Sequence, residues 1–247
     1  MSPQRAASAG DDGAGTALDG VLAIDKPAGL TSHDVVARVR HALHGVRTGH
    51  AGTLDPFATG LLLVLVGRAT KSQRELMALP KSYETVAQLG ASSSTGDTEG
   101  EITYTGKLPP DPLSLPTGEL RQRPPAYSAV KVGGERAYKR ARRGEQLQMP
   151  ERIVTVSRFE QTWRAPDEQH PGLQRAGFEI ECGSGTYVRS LIADLGDAYC
   201  LQLRRTAIGP FTVERAVAPP RRGERWSEPP LIELEQALAM LPRGRAL

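Results

Sequence analysis

Apolar and polar positions along the chain fall into alternating strand-like and helix-like patterns. Residues 20–25 form a short apolar run that Lys26-Pro27-Ala28-Gly29 breaks, which predicts a buried strand. Val35, Val36, Val39 and Leu43 then recur at helical spacing, with Ser32 as the expected N-cap and Asp34 in the first turn. An unbroken apolar run at 61–66 predicts a second buried strand. Residues 83–90 and 101–105 read as strands, and the polar segment 91–100 between them as turns. Residues 107–125 are proline-rich and read as irregular, and 133–144 as holding a short basic helix that ends at Gly144. Residues 153–163 are β-branched and aromatic, so they read as a strand. Phe178, Ile180 and Cys182 alternate with Glu179 and Glu181, the signature of a half-buried strand. A glycine-rich turn at 183–187 leads into a helix carrying Leu191, Ile192 and Leu195. Residues 201–208 are extended again, 219–230 read as a Pro/Arg linker, and 231–241 as a final amphipathic helix. Several strands, interspersed helices and few regular βαβ units predict the α+β class, with a mixed, mainly antiparallel sheet.

Composition narrows this picture. A chain of 247 residues is long enough to bury a substantial core without staples. Its two cysteines, Cys182 and Cys200, make neither a disulfide framework nor a four-ligand zinc site, which suits a reduced, cytoplasmic setting. No apolar run is long enough to span a membrane as a helix. Residues 1–18 are Ala/Gly/Ser-rich, lack the order of a signal peptide, and are expected to form a disordered tail. Net charge is only +3, but its distribution is uneven. Residues 121–143 hold eight bases (among them Lys131) against the single acid Glu135, and further clusters occur at Arg204-Arg205 and Arg221-Arg222. Such patches suit a polyanion-binding face; the ordinary alternative is a solvated helix surface.

Candidate chemistry centres on Gly49-His50-Ala51-Gly52-Thr53-Leu54-Asp55-Pro56. Two glycines and a proline hold one carboxylate on a stiff turn beside an apolar strand, which suits a nucleophile or general base. A turn in which Asp55 caps its own backbone is the plain alternative. Gly185-Thr186-Tyr187-Val188-Arg189 is the second focus. Arg189 near a carboxylate would keep it ionised, and Tyr187 would stack on a flat ligand; a core tyrosine and a surface arginine are the plain alternative. His41, His44 and His50 lack partners at metal-ligand spacing, so no metal is expected. Residues 67–72 lack the glycine-lysine pattern of a phosphate loop, and no Gly-x-Ser-x-Gly elbow exists.

The 49–56 motif, followed by Ala58-Thr59-Gly60, resembles the catalytic-aspartate motif of the TruB family of tRNA pseudouridine synthases. Asp25-Lys26-Pro27-Ala28-Gly29, Lys81-Ser82-Tyr83, Pro124-Pro125-Ala126-Tyr127-Ser128-Ala129-Val130-Lys131 and the 185–189 motif match the same family in order, with Leu203-Arg204-Arg205-Thr206 a weaker sixth. The resemblance spans roughly residues 20–213 and implies a sheet of the pseudouridine-synthase type flanked by helices and loops. It also implies conversion of a T-loop uridine of tRNA, conventionally position 55 of the RNA, to pseudouridine by base flipping. Carried over, Asp55 is the nucleophile, and Tyr83 stacks on the target base. Tyr187 lies beside the reacting ring and Arg189 pairs with the aspartate. His50 fills the space the base leaves, Lys26 and Pro27 brace the loop, Leu203 lines the pocket, and Lys131 belongs to the basic stretch that grips phosphates.

The resemblance implies no cofactor, the tRNA T-arm as partner, and no obligate protein partner. Residues 19–215 are expected to be the catalytic domain. Residues 216–247 are expected to be a short extension, too short for the PUA-type RNA-binding domain many members carry, and the insert before Pro124 is shorter than is common. The alternatives are a synthase for a different RNA uridine, or an RNA-binding or tRNA-folding module without activity.

Overall fold

In the computed structural model, which describes residues 18–241, the elements follow the predicted order with several additions. Strand β1 (Gly20–Lys26) leads to helix α1 (Ser32–Ala42), the short β2 (Thr48–His50) and β3 (Thr59–Val66). A 3-10 turn at Gly67–Ser72 runs into α2 (Gln73–Ala78) and the long β4 (Lys81–Leu89). Next come β5 (Ala91–Ser93), β6 (Ile102–Tyr104), β7 (Gly118–Gln122), β8 (Lys131–Val132), β9 (Glu135–Arg136) and α3 (Ala137–Ala141). The chain continues through β10 (Arg152–Pro166), β11 (Gln174–Cys182), α4 (Val188–Ala193), β12 (Ala198–Ile208) and β13 (Phe211–Thr212). It ends in β14 (Ile232–Glu233) and α5 (Leu234–Ala239). The tail expected at residues 1–18 falls, apart from Leu18, outside the described residues.

The main sheet has the order β14-β1-β3-β12-β4-β11-β10-β7, with β2 and β13 pairing beside β3 and β12. Every pairing is antiparallel except β3 with β12, so the sheet is mixed and mainly antiparallel, as the pattern predicted. The unbroken apolar run of β3 has a direct cause. Leu62, Val64 and Val66 face α1, where Val35, Val36, Val39 and Leu43 cover them, while Leu61, Leu63 and Leu65 face α2 and α5. A strand covered on both sides cannot alternate with polar residues.

Local expectations fail where a tertiary partner overrides them. Thr31, not Ser32, caps α1; its hydroxyl accepts from Asp34 N and Asp34 reciprocates in a capping box. Ser32 is buried and bonds the loop at Leu54 instead. The polar segment expected as turns contains β5, and the proline-rich segment contains β7, an edge strand whose polar side chains conceal its pairing with β10. The strand expected from Leu201 starts at Ala198, and the final helix is only α5, because Ile232 and Glu233 pair with β1. The expected linker at 219–230 lies against α1: Trp226 N donates to Ala42 O at 3.0 Å.

Gly60 marks the parallel junction of β3 and β12. It faces Arg205 across β3 and β12 at φ +100°, and a Cβ there would sit 2.2 Å from Arg205 O. Gly60→Ala is therefore expected to destabilise the protein by at least ~2 kcal/mol in urea unfolding, through both strain and collision. A change below about 0.5 kcal/mol would show that the junction is not tight.

Candidate active site

The loop carrying Asp55 is held by its carbonyls. Arg205, buried in β12, donates from Nη2 to Gly52 O (3.2 Å), from Nη1 to Thr53 O (3.3 Å) and from Nε to Leu61 O (2.7 Å). Ser32 Oγ donates to Leu54 O (3.2 Å) and accepts from Leu54 N (2.9 Å). Asp55 O accepts from Ala58 N (3.2 Å), and Pro56 O accepts from Gly29 N (2.9 Å) and Lys26 Nζ (3.2 Å). Each carbonyl from Gly52 to Pro56 thus has a partner, so the turn that presents the Asp55 side chain is rigidly held.

That side chain meets Arg189 at the start of α4, with Nε 2.9 Å from Asp55 Oδ2. The contact is an ion pair rather than an aligned hydrogen bond. Nη1 donates to Asp97 Oδ2 (3.0 Å) and Thr95 O (2.7 Å), and Nη2 to Tyr127 O (3.0 Å). The Arg189 and Asp97 side chains are 3% and 4% exposed, whereas Asp55 keeps 29%, so only Asp55 is open to a ligand. Burial pushes the Asp55 carboxyl above its ordinary value; Arg189 opposes that shift and Asp97 adds to it.

Asp55 opens on a cleft of about 330 Å³, at the lower end of the ~300–1,000 Å³ range of small-molecule sites. Tyr83 from β4, Tyr187 and Arg189 from the turn into α4, and Leu203 from β12 all line it. Burial raises the Tyr83 phenol above its ordinary value, so the hydroxyl keeps its proton. Tyr187 is pinned by Gln122, which donates to Tyr187 O (3.0 Å) and accepts from Tyr187 N (2.7 Å). The Arg152 guanidinium stacks 4.6 Å from the centre of the Tyr187 ring.

The other sequence-selected residues stand outside the lining. Lys26 is fully buried and donates to Pro27 O (3.0 Å), Leu30 O (2.8 Å) and Pro56 O. Burial draws its pKa down to about 8, and three carbonyls match its three ammonium protons. Pro27 is exposed beside it and offers that first acceptor. His50 packs edge to face with His33, ring centroids 5.5 Å apart; burial, with His33 and Arg205 nearby, draws its pKa down to about 4, so the ring is neutral near pH 7. Lys131 is exposed on β8, next to Val130, which does line the cleft. Among the described residues, no three His, Cys, Asp or Glu side chains are grouped to hold a metal ion, and no helix is long and apolar enough to cross a membrane.

Four supporting residues escape a reading of the sequence. Asp97 lies in a polar turn with nothing to distinguish it from its neighbours, and Gln122 in a proline-rich stretch. Ser32 gives the signal of a helix cap. Arg205 reads as half of a basic cluster, yet it shares the face of β12 with Leu203, and that alternation with an apolar neighbour is the one clue that it points inward.

Comparison with known proteins places the chain among relatives of similar sequence and fold. The model of the TruB family pseudouridylate synthase N-terminal domain matches residues 40–188. A Thermobifida fusca protein named tRNA pseudouridine synthase B is 44% identical over 230 residues, covering 87% of this chain and 78% of that protein. One of the same name from Mycobacterium tuberculosis is 44% identical over 211 residues, covering 80% and 69%. Among solved structures, the fold is similar to a chain of a Cbf5-Nop10-Gar1 complex, with a TM-score of 0.58 and 30% identity over 81% of this chain and 52% of that one. It is also similar to a chain of an H/ACA RNP bound to a substrate RNA containing 2'-deoxyuridine, with a TM-score of 0.53 and 27% identity over 81% and 50%. This chain spans about half the length of those two solved chains.

Ser32→Ala would leave the Leu54 N–H buried without a partner while α1 keeps its Thr31 cap. The expected cost is about 1–3 kcal/mol in urea unfolding, with a lower turnover because the Asp55 loop loosens. Unchanged stability and turnover would show that the hydroxyl does not hold the loop.

Proposed function

The chain belongs to the TruB family of pseudouridylate synthases, and from that premise we propose that it isomerises a uridine of tRNA, the T-loop uridine at RNA position 55, to pseudouridine. The observation that carries this reading is the partly open Asp55 carboxylate, paired with a buried arginine and lining one cleft with two tyrosines and Leu203. The isomerisation breaks the bond from uracil N1 to C1′, turns the base, and joins C5 to C1′; the proton on C5 then leaves and N1 ends protonated, so the atoms balance. A carboxylate beside the sugar stabilises positive charge as it develops at the anomeric carbon, as it does in glycoside hydrolysis. Asp55 acts by attack at C1′, by attack on the ring, or by assisting glycal formation, and all three routes begin from the ionised carboxylate. Arg189 favours that form against burial.

The reacting atom is inaccessible in a folded RNA loop, so the nucleotide must be extruded into the cleft at a cost of a few kcal/mol. Tyr83 offers a plane for the detached uracil, Leu203 an apolar wall, and Tyr187 a second ring whose backbone Gln122 holds still. A neutral His50 suits stacking in the place the base leaves, since an uncharged ring needs no counter-ion there. Lys26 and Pro27 brace the carboxylate loop from behind. Lys131 extends from the strand next to the cleft as a phosphate contact. We take residues 19–215 as the catalytic unit. Residues 216–217 and 232–239 pack against β1 and the adjoining core.

Asp55→Asn is expected to reduce pseudouridine formation in an unmodified tRNA transcript by at least ~10³-fold while tRNA binding persists. Primer extension after carbodiimide treatment reads the product; retained turnover would remove Asp55 from the chemistry. For the wild-type protein, single-turnover rates should fall as pH drops, on a limb lying above the ordinary aspartate value of ~3.9. The carboxylate is protonated earlier than usual on the acid side because burial raises its pKa. A rate that is flat down to pH ~4 would contradict that assignment.

A further inference from the structure

The arginine pair at 221–222 has no part in the cleft. The segment that carries it lies along α1. Trp226 N donates to Ala42 O, Arg225 Nη1 donates to His41 O, 184 residues away in sequence, and the indole packs with Val35, Val39 and Leu43. Two adjoining concavities result on the outer side of α1. Arg38, His41 and Arg222 line one of them with Asp34; Arg40, His41, His44 and Arg225 line the other. All of these basic side chains are exposed except Arg38, which is half-buried.

Cations at a helix C-terminus offset the negative end of its dipole, and that accounts for Arg40 and His41. It does not account for Arg38, which lies nearer the middle of α1, or for Arg222 and Arg225, which arrive from a distant segment. Among the described residues, none of these four arginines forms an ion pair. The nearby acids are already engaged. Asp34 accepts from Thr31 N (2.9 Å) and Thr31 Oγ1 (2.6 Å), and Glu224 accepts from Arg221 N (2.7 Å) and Trp226 Nε1 (3.1 Å). The stretch at 121–143, more basic in sequence, differs: Arg123 pairs with Glu151, Arg140 with Glu145, and Arg143 with both Glu135 and Glu145.

We propose that the groove between α1 and residues 221–225 is a second RNA site, which holds backbone phosphates of a double-stranded part of the substrate while the cleft holds the flipped nucleotide. This rests on the reading of tRNA as substrate. Helix α1 starts at Ser32, which is bonded to Leu54 beside Asp55, and an 11-residue helix rises ~16 Å. The groove therefore runs alongside α1 from its first turn, with Arg38 ~9 Å along the helix from Ser32, and α1 fixes its place relative to the reacting loop. Arginine forks match phosphate oxygens, and contacts to backbone position an RNA without reading its sequence.

The test is the double variant Arg38→Gln/Arg222→Gln, with melting temperature as the check on folding and Arg38→Lys/Arg222→Lys as the charge-preserving control. With an unmodified tRNA transcript at ~0.15 M salt, the Gln variant is expected to raise Kd roughly tenfold and to flatten the plot of log affinity against log salt by about 2, near one unit for each lost phosphate contact. KM should rise with Kd while kcat at saturating tRNA holds, and the Lys variant should recover most of the binding. A Gln variant that melts like wild type and keeps both Kd and salt slope would overturn the proposal. So would an equal loss in the Lys variant, since the salt-dependent part of phosphate binding follows the charge that lysine keeps. A wild-type protein that binds tRNA with the expected salt slope but forms no pseudouridine would sink the functional reading alone.

Discussion

A guanidinium that has lost contact with water must be surrounded by negative charge and carbonyl oxygens, and Arg189 sets that condition for the whole site. With Asp55 on one side and Asp97 on the other, it draws together three segments remote in sequence: the carboxylate loop, the polar turn after β5 and the start of α4. Two further bonds, to Thr95 O and Tyr127 O, use two of its three remaining donors. Removing one member of such a buried cluster leaves uncompensated charge and typically costs about 3–5 kcal/mol. Folding and the ionisation of Asp55 are therefore coupled. The asymmetry between the two carboxylates separates their roles: Asp97 is enclosed and structural, while Asp55 retains an open side from which a ligand can approach.

Rigidity around Asp55 comes from side chains donating to backbone carbonyls, not from the loop itself. Arg205 and Lys26 are both cations buried inside the fold, and each uses its donors on carbonyl oxygens of or beside the 52–56 segment. This substitutes protein dipoles for water around the charge. It also places the positive charge of Lys26 near the Asp55 carboxylate, where it opposes the upward pKa shift from burial. The two-faced burial of β3 supports the arrangement from below. Helix α1, with Ser32 at its tip, and strand β12, with Arg205, both pack or pair against that one strand.

Charge counted along the chain and charge available at the surface are different quantities. Residues 121–143 are the most basic stretch by count, but acids at 135, 145 and 151 neutralise three of its arginines. Arg204 pairs with Asp25 in a bidentate bond and Arg205 is interior, so that cluster contributes little surface charge. The arginines flanking α1 form no ion pair among the described residues, and Asp34 is the one acid that shares a concavity with them. Surface charge free of ion pairs is therefore shared between two regions rather than concentrated where the sequence is most basic.

Much of the molecule follows from the order of residues alone. Periodicity locates β1, α1, β3, β4, β10, β11 and α4, because strands and helices that bury one face or two must repeat apolar residues at their own spacing. The motifs around Asp55, Tyr83, Tyr187, Arg189 and Leu203 mark residues that the structure brings to one cleft. The supporting cast was not legible in the same way. Short edge strands such as β5 and β7 carry no burial pattern, since their pairing is satisfied by a neighbouring strand rather than by their own side chains. Ser32 and Arg205 carry the local signatures of a helix cap and a surface cation, yet both serve the loop 22 and 152 residues away in sequence, respectively. Asp97 and Gln122 carry no signature at all. Local sequence encodes what a residue does to its own backbone and which face it buries. Which distant polar group satisfies a buried donor is decided only when the chain closes, because the cost of leaving that donor unpaired arises only once water is excluded.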